Sequence, residues 1–213
     1  KEARKVDPFT AYGVAAASMA VEDAGLDKFS FDQERAGVLV SSGIGGMKYL
    51  QTQHKRALEG GPKRVSPQLI PQMITNILAG YISMKYKFKG PNFCITSACA
   101  SGTHSIGEAA RMIAYGDADI MIAGGSEASI EMLGVAGFAA LRATSRRNDD
   151  PKGASRPFDK DRDGFVMSEG AGVIVLESRQ HAEARNAKIY CSISGYGRTG
   201  DAYHITAPDE SAE

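Results

Sequence analysis

The residue types best suited to covalent chemistry converge on one short stretch, Phe93-Cys94-Ile95-Thr96-Ser97-Ala98-Cys99-Ala100-Ser101-Gly102-Thr103. A strand-like run passes into small residues, presents Cys99, and turns at once into a helical pattern. That order is the cysteine version of a nucleophile elbow, in which a strand feeds a sharp turn and the turn feeds a helix. A side chain at a helix N-terminus meets unpaired backbone N–H groups and the positive end of the helix dipole, both of which favour a thiolate. Ala98, Ala100, Ser101 and Gly102 are small enough to let a bulky thioester approach. A cysteine at an arbitrary strand end is more often buried and inert, so it is the strand–turn–helix context that singles out Cys99. Cys94 and Cys191 fall inside strand patterns and are expected to be inert core.

The elements that must position this cysteine can be read around it. Asp7-Pro8 is a helix start, Asp as N-cap and Pro at the first helical position, and Gly25 closes the alanine-rich helix that follows. Residues 36–40 form an apolar run ending in Ser41-Ser42-Gly43, a buried strand entering a glycine loop. Helical patterns cover 47–59 and 71–86. Residues 93–97 read as a strand, 102–115 as an amphipathic helix, and 120–123 as another all-apolar strand. Two more strands are expected over 172–176 and 189–194, joined by a helix over 179–185, and 144–162 is a long polar loop. Strand, helix and strand in alternation predict an α/β domain with a parallel sheet covered on both faces. Neither an internal repeat nor a low-complexity tract interrupts it.

Several blocks of the sequence then point to a family. Thr96-Ser97-Ala98-Cys99-Ala100-Ser101-Gly102 resembles the active-site motif of the ketoacyl-carrier-protein synthases, which have the thiolase-like layered fold. Five further blocks match in order: Ser42-Gly43-Ile44-Gly45-Gly46, Ala114-Tyr115-Gly116-Asp117-Ala118-Asp119, Ala123-Gly124-Gly125-Ser126-Glu127, Ser155-Arg156-Pro157-Phe158-Asp159 and Arg162-Asp163-Gly164-Phe165-Val166. The type II elongating subgroup is the most similar, because it too carries an aliphatic residue at the second place of Gly43-Ile44-Gly45-Gly46. The resemblance implies that residues 1–213 are an N-terminal ketoacyl synthase domain incomplete at both ends. The opening strand and the C-terminal half of the duplicated fold are then absent. The family's two catalytic histidines lie in His-Gly-Thr and Gly-His-Leu motifs, and His54, His104, His181 and His204 match neither context. Condensation is therefore not expected of residues 1–213 alone.

By the same resemblance, Cys99 takes an acyl chain as a thioester before a decarboxylative Claisen condensation with malonyl-carrier protein in fatty acid synthesis. Covalent catalysis of this kind splits one hard step into easier ones. Ile44 is expected at the bottom of the acyl pocket and Phe138 on its wall. Leu69, expected to line the pocket too, stands where relatives place an aromatic residue reaching across a dimer interface. His204 and Thr206 resemble part of a mobile loop gating the tunnel. Lys1, Arg4, Lys5, Lys63, Arg64 and Arg142 are expected around the tunnel mouth, where they would meet an acidic acyl carrier protein; complementary charge speeds such encounters and fixes orientation. The partners implied are the acyl carrier protein and, for the complete enzyme, a second copy in a homodimer. No resident cofactor or metal is expected, since phosphopantetheine arrives on the carrier protein. A polyketide ketosynthase has the same site with different acyl specificity. A chain-length-factor-like partner typically lacks the nucleophile, which Cys99 argues against. Thiolases and chalcone-type synthases fit poorly around Ser155 and Arg162.

Other signals have simpler explanations. Ser41 to Gly46 lacks the Gly-Lys-Ser/Thr ending of a phosphate loop. Asp159-Lys160-Asp161-Arg162-Asp163-Gly164 copies the start of a calcium loop, but Gly170 occupies the twelfth place where a glutamate is needed. Lys85-Tyr86-Lys87-Phe88-Lys89 interleaves basic and aromatic residues as a single-strand nucleic-acid surface does, yet no second such patch exists. Lys plus Arg and Asp plus Glu balance at 25 each, which argues against a general nucleic-acid or membrane-surface binder. With 43% hydrophobic and 23% charged residues the composition is that of a globular chain. Three cysteines are too few and too odd for a disulfide framework, no apolar run approaches a membrane span, and no leader opens the chain, so a cytoplasmic location is expected.

Overall fold

The first helix begins and ends where the sequence places its signals. In the computed structural model, which describes residues 6–209 and 211, α1 spans Pro8–Asp23. The Asp7 carboxylate accepts from the Phe9 N–H, and Gly25 follows the helix at φ 66°. The other Asp7 oxygen accepts from the Tyr49 N–H at 2.9 Å, in the first turn of α2 (Met47–Gly60). One buried carboxylate thus satisfies orphan donors of two helices. Burial pushes its pKa above the usual carboxylate value, against the pull of those two N–H groups.

Three strands form one sheet in the order β1 (Ala36–Ser41), β2 (Ile120–Glu127) and β3 (Gly170–Glu177). β1 and β2 run parallel, with Ala36 opposite Ile120 and Ser41 opposite Gly125. Val38, Val40, Ile120 and Ile122 pack with Phe9 and Ala17 of α1 and with Leu78 and Ile82 of α4 (Ile77–Tyr86). Leu39, Met121 and Ala123 face the other way, onto Ala109 of α5 (Ser101–Ala114). Alternate residues of both strands are therefore buried on opposite faces, which is why these strands read as unbroken apolar runs. The helix series is completed by α3 (Leu69–Met73), α6 (Met132–Ala140) and α7 (Arg179–Ala184).

Several expectations need correction. β3 pairs antiparallel with β2, Glu127 opposite Gly170, so the sheet is mixed. An apolar run carries no direction; the chain leaves β2 at Glu127 and re-enters at that same end, which forces the reversal. Residues 93–97 form no strand. The Phe93 N–H reaches the Val38 carbonyl beside a lone bridge at Asn92, and the Ile95 N–H then turns to the Ser41 hydroxyl instead of a ladder partner. The helix expected over 71–86 is broken. The Met73 carbonyl accepts from the Gly46 N–H, and Ile74 is extended at φ −69°, ψ 142°, before α4 begins. Residues 189–194 form no strand either, and Cys191 is exposed rather than core, while Cys94 is half-buried.

Candidate active site

Cys99 sits in the turn between residue 97 and α5, and the geometry of that turn is unusual. Ala98 holds φ 50°, a left-handed conformation that costs a non-glycine residue energy and persists only where its surroundings enforce it. Ser101 supplies the enforcement. Its hydroxyl accepts from the Ser97 N–H at 2.9 Å and donates to the Ala98 carbonyl at 2.7 Å. The Ser105 hydroxyl donates to the Ser101 carbonyl and lies 2.5 Å from the Ser41 hydroxyl at the end of β1. Ser41, Ser101 and Ser105 are all buried. A short chain of hydroxyls therefore ties the elbow to the sheet.

Close packing brings the start of α5 onto β2. A Cβ built on Gly125 would lie 3.3 Å from the Gly102 Cα, so the two backbones approach each other through glycines. The approach sets Cys99, which is exposed, over a cavity of about 730 Å³. Ile44, Phe138, Phe165, Glu127 and Glu169 also line it. Phe138 of α6 meets Phe165 edge to face, ring centroids 5.2 Å apart. Glu169 is held by the Ile130 N–H at 3.0 Å and the Tyr12 hydroxyl at 3.4 Å. The walls are mostly apolar and small near the sulfur, as a site for an aliphatic chain requires.

The structure brings three of the sequence-predicted residues together: Cys99, Ile44 and Phe138 share this cavity. Leu69 lies apart, half-buried at the start of α3 and away from the cavity wall. His204 and Thr206 also lie apart. Both are exposed, and the His204 ring accepts from the Thr206 and Ala207 N–H groups within a local turn. Lys63 and Arg64 occupy an exposed turn after α2, and Arg142 is exposed just beyond α6 at φ 57°. Lys1, Arg4 and Lys5 lie outside the described residues. His104 packs on α5 as expected, its Nδ1 2.7 Å from the Ser97 hydroxyl and its ring edge-on to Tyr196.

Ser101 and Glu127 are among the site residues that carry no role in the sequence reading. Ser101 is noted only for its size, although a hydroxyl two places after a nucleophile could have been read as a turn-binding group. Glu127 closes a run of small residues at the end of β2; an ionisable group there is the available signal. Its carboxylate accepts from Gly43 N–H at 2.8 Å, Ile44 N–H at 3.2 Å, the Ser42 hydroxyl at 3.0 Å and the Ser129 hydroxyl at 3.3 Å.

A thiol presented in a tight left-handed turn at the start of a helix, over an apolar cavity, is the geometry of a cysteine-nucleophile site for thioester chemistry. The chain belongs to the beta-ketoacyl synthase family, whose N-terminal domain model matches residues 1–182. It is 53% identical over 210 residues to 3-oxoacyl-(acyl-carrier-protein) synthase 2 of Vibrio cholerae, an alignment covering 99% of this chain and 51% of that relative. A crystal structure of a beta-ketoacyl synthase from Burkholderia phymatum superposes with a TM-score of 0.88 at 38% identity, over 98% of this chain and 51% of that one. A ketosynthase solved with its type II polyketide acyl-carrier protein superposes at 0.89 and 34% identity, over 93% of this chain and 50% of that one. The fold is therefore the thiolase-like α/β fold of the ketosynthases, represented here mainly by its N-terminal half. The chain spans about half the length of the curated relatives it matches.

Proposed function

We propose that these residues are the acyl-loading half of a 3-oxoacyl-(acyl-carrier-protein) synthase of fatty acid biosynthesis. The observation that carries this reading is Cys99 standing at the elbow on the same cavity as Ile44 and Phe138. In the loading step the Cys99 sulfur attacks the thioester carbonyl of an acyl carrier protein. The phosphopantetheine thiol leaves with a proton, and the acyl chain becomes a Cys99 thioester. Malonyl-carrier protein then loses carbon dioxide, and its carbanion attacks that thioester to form the carbon–carbon bond and free Cys99. None of the described histidines lines the cavity, so the groups that assist decarboxylation are assigned to the rest of the whole protein. Phosphopantetheine belongs to the carrier protein, and no resident cofactor is required.

The fatty-acid reading draws support from the 53% identity to a 3-oxoacyl synthase, against 34% for the polyketide ketosynthase. An intact Cys99 stands against a non-catalytic chain-length-factor role. Exposed Lys63, Arg64 and Arg142 are assigned to binding the acidic carrier protein, and the sequence assigns Lys1, Arg4 and Lys5, outside the described residues, to the same role. A homodimer and a cytoplasmic location belong to the same reading.

The test is direct. In the full-length protein, Cys99→Ala should lower acyl transfer from carrier protein by at least about 10⁴-fold, as loss of a covalent nucleophile does elsewhere. Mass spectrometry should place the acyl group on Cys99 in the parent; an acyl group found on Cys94 or Cys191 refutes the assignment. Reversing Arg64 and Arg142 together to Glu should weaken carrier binding and flatten its dependence on salt. Unchanged binding at low ionic strength would move the docking surface elsewhere.

A further inference from the structure

We propose that Glu127 is a positioning residue that latches the Ile44 loop at the cavity and so limits the length of acyl chain Cys99 accepts. The inference rests on the acyl-transfer reading of the site and adds a specificity device to it. Glu127 is the last residue of β2, so its backbone is fixed by the sheet, where it pairs with Gly170. One carboxylate oxygen receives both the Gly43 and Ile44 N–H groups, and the other receives the Ser42 hydroxyl. Ser42 in turn accepts from the Gly45 N–H at 2.8 Å. The Ser42 hydroxyl and the N–H groups of residues 43 to 45 therefore end on Glu127, directly or through one hydroxyl. Hydrogen bonds to an ionised acceptor are the stronger kind.

The far side of the loop is closed as well. A Cβ on Gly45 would lie 2.4 Å from the Met73 carbonyl oxygen, and one on Gly46 would lie 2.0 Å from that of Gln72. The loop is pressed between the α3 backbone and the Glu127 carboxylate, with the Thr96 hydroxyl donating to the Ser42 carbonyl at 3.2 Å. Ile44 stands between these supports with 38% of its surface exposed, on the cavity that also holds Cys99. Removing the latch frees the Ile44 backbone to withdraw, which deepens the space for an acyl chain.

The experiment uses the full-length protein and measures initial rates of acyl transfer to Cys99 from octanoyl- and palmitoyl-carrier protein. Glu127→Ala should raise the palmitoyl-to-octanoyl ratio of kcat/KM by roughly tenfold, the scale on which pocket depth discriminates chain lengths. Glu127→Gln should keep the parent ratio, because its amide oxygen can still accept from the two N–H groups while its NH₂ meets the serine hydroxyls. In an Ile44→Ala background, Glu127→Ala should change the ratio no further, since the latch acts through Ile44. An unchanged ratio in Glu127→Ala, or the same shift with Ile44 already truncated, overturns the proposal. Should Glu127→Ala not fold, Ser42→Ala removes one donor and the Gly45 acceptor; a smaller shift of the same sign supports the latch, and none overturns it. If the parent itself loads no acyl group on Cys99, it is the acyl-transfer reading that fails.

Discussion

β1 and β3 share a sheet, yet β1 is buried along its whole length, whereas β3 begins exposed and is only partly buried towards its end. The contrast extends beyond the strands. Around β1 and β2 lie the two packed clusters and the hydroxyl chain that holds the elbow. Among the described residues after β3 there is one short α-helix, and Ile189, Tyr190, Ile193 and Ile205 are exposed. The nucleophile is thus carried by a frame whose stability comes from burial on both faces. The opposite wall, residues 165–172, depends instead on a few polar fastenings such as Glu169 with Tyr12 and Ile130. A site built this way can keep its cysteine fixed while the walls that meet the substrate adapt.

The strongest fastening of the second region is the Glu177–Arg185 pair, in which Arg185 also donates to the Ala24 carbonyl at 2.8 Å. Their side chains are 9% and 7% exposed, and His181 contacts the same carboxylate. Burial raises the Glu177 pKa, but the Arg185 fork and His181 outweigh it and hold the group below the usual carboxylate range. Arg185→Ala leaves a buried carboxylate without its cation and should cost about 3–5 kcal/mol. A pKa lowered in the folded state stabilises above the unfolded value and ceases to do so as pH falls through the folded one. Parent stability should therefore fall below about pH 4, the ordinary carboxylate range. The contribution of Glu177 to that fall should disappear in Arg185→Ala. Equal acid sensitivity of the two proteins, followed by urea unfolding at several pH values, would contradict this.

Truncating one residue in each region sharpens the contrast. Leu39→Ala opens space in a strand with no exposed surface and should cost about 2–5 kcal/mol. Ile189→Ala should stay within about 0.5 kcal/mol, because Ile189 is 47% exposed and outside both clusters. Chemical denaturation of the two variants decides it, and similar losses would mean that residue 189 is covered in the whole protein.

The same division explains what could be read from the sequence. Asp7-Pro8, Gly25, the runs at 36–40 and 120–123 and the elbow at Cys99 are local signals, each with its cause in adjacent residues. The misreadings are places where a distant group decides. Met73 gives its carbonyl to Gly46 and so breaks a helix that local periodicity favoured. Ile95 gives its N–H to Ser41 and leaves the strand pattern without a ladder. The direction of β3 depends on where a 42-residue connection, residues 128–169, returns. Within the site, Cys99, Ile44 and Phe138 were legible through family motifs, whereas Glu127 acts on a loop more than 80 residues away, a relation no local pattern encodes.

Ser101 offers the finest test of whether the frame sets the reactivity of the nucleophile. Its hydroxyl is the one group that both accepts from Ser97 and donates to Ala98, and Ala98 is the residue held at φ 50° beside Cys99. Ser101→Ala removes that bridge without changing the helix start, since alanine is a good helix former. The lost hydrogen bonds are worth about 1 kcal/mol, which corresponds to roughly a fivefold change in a rate that depends on the held geometry. Alkylation of Cys99 by iodoacetamide should slow by about that factor, while the alkylation rate of exposed Cys191 should stay unchanged and serve as the internal control. Ser101→Thr keeps the hydroxyl and should restore the parent rate. If Ser101→Ala reacts as fast as the parent, the left-handed turn at Ala98 is enforced by the glycine contact between α5 and β2 alone, and the hydroxyl chain only fills buried space.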